Sequence, residues 1–198
     1  MKYIDLIKNI KQPIFSLQDL RLLHLQIYPY QLSQWFKRGD LIKLKNGLYA
    51  LVEKSEQLKI ETIAFHMYQP SYISLEWALA KYGLIPEITY NCTSVTAKTT
   101  RNFKNKFGNF IFRHLKKELF FGYNKIEENG QVYLIAEPEK ALIDYIYLNS
   151  SKIKTQNDID ELRLNEFELR NLNVKKIKKY ALVTNDSGVL KVLKLMKL

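Results

Sequence analysis

The stretch PYQLSQWFKRGDLIKLKNGLYAL, Pro29–Leu51, reads as a helix followed at once by a basic two-stranded hairpin. In its first half Leu32, Trp35 and Phe36 recur at helical spacing on one stripe, and Gln31, Gln34, Lys37 and Arg38 gather on another. Pro29 suits a first helical turn, and Gly39 suits the left-handed residue that ends a helix. In the second half Asn46-Gly47 predicts a two-residue type I′ turn, in which both central residues take positive φ. Pairing across such a turn sets Lys45 opposite Leu48 and Lys43 opposite Ala50 on one face. Leu44 then faces Tyr49, and Ile42 faces Leu51, on the other. The expected ribbon has one apolar face and one face bearing both lysines.

Two shorter helices are expected upstream. Tyr3, Leu6, Ile7 and Ile10 share a face, and Pro13 prevents continuation. A second helix starts at Ser16, where Ser16 and Asp19 form a short version of the capping box and Phe15 with Leu20 a hydrophobic staple. The order helix, helix, helix, hairpin predicts an N-terminal winged helix-turn-helix over residues 1–52. A core that small is marginal alone and is expected to lean on the rest of the chain.

Such a unit reads DNA with its last helix and steadies it with the hairpin. Glutamine amides bond adenine bidentately and arginine bonds guanine, whereas lysines neutralise phosphates. The predicted DNA-contacting residues are Tyr30, Gln31, Gln34, Lys37, Arg38, Lys43, Lys45 and Asn46. Gln31, Gln34 and Arg38 are assigned to base edges, and Lys37, Lys43 and Lys45 to phosphates. Tyr49 is expected in the core of the hairpin.

Composition agrees with an anionic partner. The 198 residues carry a net charge of +11 and are 46% hydrophobic, which favours a packed globule over disorder. Residues 1–50 hold eight Lys or Arg against three Asp or Glu, giving +5, and residues 151–198 hold eleven against six, again +5. Between them, residues 51–150 are nearly balanced. Cys92 is the single cysteine, so no internal disulfide forms. Charges interrupt every apolar run near the N-terminus, and no stretch approaches the roughly 20 apolar residues that span a bilayer. A cytoplasmic protein without membrane or cofactor partners is the expectation.

Beyond a polar linker at Glu53–Gln57, residues 58–198 read as a second, α+β domain. Ile60, Ile63, Ala64 and Met67 mark a helix closed by Pro70, and Ser74 is placed to cap a helix over Leu75–Tyr82 that ends at Gly83. Strands are expected at Ile88–Thr96, at Phe107–His114, and at Phe120–Ile126 with Val132–Ala136 about Asn129-Gly130. They predict a small, mostly antiparallel sheet. A helix beginning at Pro138 follows, and C-terminal helices carry Val174, Ile177 and Ala181, then Val189, Val192, Leu193 and Met196, with Asp186 or Ser187 as cap. Cations at Lys98, Arg101, Lys104, Lys106, Arg113, Lys116 and Lys117 interleave with Phe103, Phe107, Phe110 and Phe112. Mixed basic and aromatic surfaces hold nucleic acid, but the alternation of Phe110 and Phe112 favours a sheet core.

Three blocks resemble the AbiEi abortive-infection antitoxin family: KNGLYA at Lys45–Ala50, YISLEWALAKYGLI at Tyr72–Ile85 and IAEPEKALID at Ile135–Asp144. The similarity runs from about Phe15 to Leu148 in the family's order. It departs at Trp77, where a small residue is usual. The resemblance implies a winged helix that represses its own operon at promoter repeats, its reading helix at Tyr30–Arg38 and its wing at Lys43–Tyr49. It also implies a second domain that counteracts a nucleotidyltransferase toxin as part of a type IV toxin-antitoxin pair, which need not involve a stable complex. The cations of the second domain then become a candidate surface for antitoxicity or auxiliary DNA contact.

Enzymatic function is not expected. His24, His66 and His114 lie apart without metal-ligand spacing, and no phosphate-binding loop is present. Glu137, Glu139 and Asp144 beside Lys140 invite a metal-nuclease reading, but acids at a helix N-terminus explain them more simply. The alternative to the antitoxin is a stand-alone regulator whose second domain senses a small ligand.

Overall fold

The computed structural model describes residues 1–86 and 90–198, so the start of the strand expected from Ile88 lies outside the described residues. Helix α1 (Tyr3–Asn9), strand β1 (Ile14–Ser16), helices α2 (Leu17–Leu22) and α3 (Pro29–Arg38), and strands β2 (Leu41–Lys45) and β3 (Leu48–Leu51) come first. The local signals act as expected. The Asp19 amide donates to Ser16 Oγ at 3.2 Å and the Ser16 amide donates to Asp19 Oδ2 at 2.6 Å, which satisfies two orphan donors of α2. Gly39 closes α3 at φ +83°.

The hairpin departs from expectation. Gly47 has φ +77°, but Asn46 does not take positive φ, and the register slips between Lys43 and Lys45. Lys45 still pairs with Leu48, whereas Lys43 pairs with Tyr49, Ile42 with Ala50 and Leu41 with Leu51. One residue of β2 is bulged out, which breaks the alternation on which a shared lysine face depended. Lys43 is exposed, while Lys45 turns toward the second half of the chain and lies half-buried over the Phe103 ring.

A third strand joins this ribbon, since β1 pairs antiparallel with β3 in the order β1-β3-β2. Leu41 and Leu51 join Leu6, Phe15, Leu32 and Trp35 in one core beneath the three helices. Ile14, Ile42, Leu44, Leu48 and Ala50 point the other way and belong to the core of the remaining chain. The small sheet is thus covered on both faces, not one.

The rest comprises α4 (Ile60–Met67), β4 (Ser71–Ile73), α5 (Leu75–Lys81), β5 (Asn91–Thr96), β6 (Arg101–Asn105), β7 (Gly108–His114), β8 (Tyr123–Glu128), β9 (Gln131–Ala136) and α6 (Pro138–Asn149). Helices α7 (Gln156–Glu161), α8 (Glu166–Arg170), α9 (Val174–Thr184) and α10 (Ser187–Leu195) complete it. The sheet order is β6-β7-β5-β4-β9-β8. Three junctions are antiparallel, but β5 with β7 and β4 with β9 run parallel, so the sheet is mixed and larger than expected. Its β8–β9 turn does have the mirror-image geometry, with Asn129 at φ +52° and Gly130 at +71° and Glu128 paired to Gln131.

Helices α5, α9 and α10 pack on α6, whose Ala141, Leu142 and Ile146 are fully buried. Asp186 caps α10 by accepting from the amides of Gly188 and Val189. The whole is a mixed α+β structure. Among the described residues no helix is long and apolar enough to cross a membrane.

Candidate nucleic-acid interface

Helix α3 turns Leu32 and Trp35 into the core and leaves Gln34, Lys37 and Arg38 on the surface. Tyr30, 60% exposed, stacks on Tyr28 with ring centroids 5.9 Å apart. Gln31 does not join the exposed set. It is buried to 8% exposure, its Oε1 accepts from the Tyr28 amide at 3.0 Å, and its Nε2 donates to the Met1 carbonyl at 2.7 Å. Its amide closes the N-terminus of the helix, so its assignment to a base edge is withdrawn.

Arg38 is held by Asp40, with Nε at 2.8 Å and Nη2 at 2.5 Å from one carboxylate oxygen. An exposed pair of this kind is worth only about 0–1 kcal/mol, so a phosphate or guanine competes for the guanidinium at little cost. Phe36 also differs from expectation: it is 49% exposed and does not complete the apolar stripe. Lys43 and Asn46 are exposed on the hairpin. Burial, and then the nearby charge of Lys98, push the Lys45 ammonium below its ordinary pKa. Tyr49 stacks on Phe15 at 5.9 Å and is half-buried against the core of the three helices, on the face opposite Leu44 and Ile42, with which it was expected to share a face.

Of the cations of the second half, Arg101 and Lys104 lie on the edge strand β6, Lys106 in the β6–β7 turn and Arg113 on β7, while Lys98, Lys116 and Lys117 lie outside the strands. Lys98, Arg101, Lys104, Lys106, Lys116 and Lys117 are exposed, and Arg113 is half-buried. Phe110 and Phe112 are fully buried, and Phe103 meets Phe112 edge-on at 5.8 Å. Strand β6 ends the sheet, and charges there also guard its unpaired edge against other chains. Besides Lys98, whose charge is felt by Lys45, the structure brings Lys106 to the first half: in the β6–β7 turn, it lines a groove with Phe36 and Lys43.

A buried polar cluster went unrecognised in the sequence. Lys140 and Asp144, each 1% exposed, pair directly along α6. Tyr72 and Ser74 hydroxyls each donate to Asp144 Oδ2 at 2.9 Å, and Lys140 Nζ donates to Tyr72 at 2.9 Å. Ser74 therefore serves Asp144 and does not cap α5. Burial pushes the Asp144 carboxyl up and the Lys140 ammonium down, each opposed by the partner's charge. Gly122, at φ +72°, lets the backbone pass the Lys140 stem, where a Cβ would approach the side chain to 3.1 Å. Sealed from solvent, the cluster pins α6 to β4.

The other two acids of that helix point elsewhere. Glu137 accepts from Tyr180 at 2.6 Å and pairs with Lys176 at 2.9 Å, and Glu139 accepts from the Asn173 amide at 3.0 Å. Both fasten α9, so the carboxylates that suggested a nuclease do not converge. Among the described residues no group of three metal-binding side chains exists. Trp77 donates to Glu61 at 3.2 Å beside the Lys81–Glu61 pair at 2.9 Å, which gives the bulky residue a structural task.

Compared with models of protein families and with curated proteins, the chain matches none.

Proposed function

We propose that this chain is a DNA-binding regulator whose residues 1–52 act as a winged helix-turn-helix at repeats in its own promoter. On this reading α3 lies in the major groove with Gln34 and Arg38 at base edges. Lys37, Lys43 and Asn46 hold the flanking backbone, with Tyr30 at the entry to the helix. The observation that carries it is the concentration of exposed Gln34, Lys37 and Arg38 on one short helix beside an exposed lysine of the adjoining hairpin. An ordinary solvated helix has no need of that neighbour.

The resemblance of three ordered sequence blocks to AbiEi antitoxins supports assigning residues 58–198 to counteracting a nucleotidyltransferase toxin. The partner set is then duplex DNA and, functionally, a toxin encoded nearby. An adjoining nucleotidyltransferase gene, and rescue of growth when both genes are expressed, is the expected outcome; toxicity unaffected by this chain would refute the antitoxin assignment.

Footprinting tests the DNA half. Protection of the chain's own promoter is expected for the wild type and lost in a Gln34→Ala, Arg38→Ala double variant, since each good bidentate contact is worth about 1–3 kcal/mol. Equal protection by both proteins would remove α3 as the reading helix.

A further inference from the structure

The groove between α3, β2 and the β6–β7 turn combines features that no single element explains. Its volume is about 330 Å³, and Phe36, Lys43 and Lys106 line it together with Ile42 and Val52. Phe36 is a large apolar side chain left half in water, although it stands one residue from the buried Trp35. Lys43 and Lys106 come from separate sheets, more than sixty residues apart in the chain, yet flank the same hollow. Neither lysine is engaged in a salt bridge among the described residues.

The turn that carries Lys106 is fastened in place. Asn105 Nδ2 donates to the Leu44 carbonyl of β2 at 3.2 Å, and Asn105 Oδ1 accepts from the Phe107 amide at 2.8 Å. One side chain thus shapes the turn and ties it to the hairpin. Holding two ammonium groups beside an exposed ring, with no carboxylate lining the groove, stores a site for an anion attached to something flat or apolar.

We propose that this groove grips one phosphodiester unit of duplex DNA, with the phosphate between Lys43 and Lys106 and the deoxyribose against Phe36. Asn105 is a positioning residue that sets Lys106 opposite Lys43. The inference rests on the DNA-binding reading of α3 and extends it: the second half of the chain contributes directly to backbone contact at the end of the reading helix. Backbone contacts of this type position a protein without reading sequence.

The test uses the full chain and a duplex of arbitrary sequence, with affinity measured by fluorescence anisotropy over a range of KCl. Removing one phosphate contact lowers the slope of log K against log salt by about 0.9. Lys106→Ala and Lys43→Ala are each expected to show part of that loss, and the double variant the whole of it. Phe36→Ala is expected to weaken binding several-fold with the slope unchanged, because it removes packing and no charge. Asn105→Ala is expected to reduce both affinity and slope while leaving the net charge as it was. Thermal midpoints and circular dichroism of each variant confirm the fold. If Lys106→Ala binds like wild type while Lys43→Ala loses affinity, the groove proposal fails and the reading of α3 stands. If the wild type binds no duplex even at low salt, both fail together. Equal or tighter binding of single strands by the same groove variants would also overturn the duplex assignment.

Discussion

At the scale of single residues, the Lys140–Asp144 pair carries the largest energetic stake. Two charges with 1% exposure survive because Tyr72 and Ser74 complete the coordination of the carboxylate and the Tyr72 hydroxyl accepts a hydrogen bond from the ammonium. Removing one partner leaves the other charged and unpaired. Lys140→Met is expected to destabilise the fold by about 3–5 kcal/mol, read from urea denaturation. A loss below about 1 kcal/mol, on the scale of an exposed pair, would show that the cluster is not buried as described. None of this was legible beforehand, because the sequence places Lys140 among acids at a helix N-terminus, where solvated charges are the ordinary reading. Only the strand carrying Tyr72 and the loop at Gly122 show that the chain closes over it.

Glu61 gives a prediction of opposite character. Burial would raise its carboxyl, but hydrogen bonds from Lys81, from its own backbone amide and from Trp77, with the Lys81 charge, outweigh burial and hold it below its ordinary value. A carboxyl depressed on folding contributes stability above about pH 4.5, where an unfolded glutamate titrates, and loses it as pH falls through the lower folded value. The stability difference between wild type and Glu61→Gln should therefore shrink as pH drops below about 4.5. A difference that is constant from pH 7 to pH 3 would mean that the Lys81–Glu61 pair is not made in solution. Gln31 and Gln34 complete the residue-scale lesson: both lie on the stripe that helical spacing calls polar, yet the first is consumed at the helix start and the second is exposed.

Among the elements, caps and turns separate what sequence makes visible from what it conceals. Pro29, Gly39, Ser16 with Asp19, and Asp186 all act locally, and each was readable because a few neighbouring residues determine it. Ser16→Ala is expected to cost about 1 kcal/mol, since it releases the Asp19 amide from its acceptor. An unchanged midpoint in urea would show that water replaces the hydroxyl without penalty. Strands β1 and β4 were not readable, because three residues cannot display a period of two and their partners are distant. Strand β6 was hidden for another reason: its cations read as a loop, whereas at a sheet edge they are compatible with pairing on one side only. The two Asn-Gly turns show the limit of a dipeptide rule. Asn129-Gly130 joins strands of matched register, but at Asn46-Gly47 the bulge at β2 keeps Ile42 and Leu44 directed at the larger core. Tertiary packing decided between turn geometries that the dipeptide alone could not distinguish.

Across the whole molecule, the small three-stranded sheet is the joint. Helices α1 to α3 cover one face, and α4 with the β6–β7 hairpin closes toward the other, where Ile42, Leu44 and Leu48 enter the core of the larger sheet. That the first fifty residues lean on the rest follows from their size alone; that the ribbon is the surface of contact is not visible from its lysines. That joint holds the end of α3 beside the β6–β7 turn, so Phe36, Lys43 and Lys106 line one groove. On the proposed DNA-binding reading, these cations would make affinity for any duplex fall with salt, and α3 would add preference for particular bases.

The most direct test is to compare the affinity of the full chain for a duplex of its own promoter with that for a scrambled duplex of equal length and composition, across salt concentrations. The account predicts a steep salt dependence for both, and binding to the promoter tighter by about 10³ or more, with that preference lost in the Gln34→Ala, Arg38→Ala variant. Equal affinity for the two duplexes, or affinity independent of salt, would contradict it.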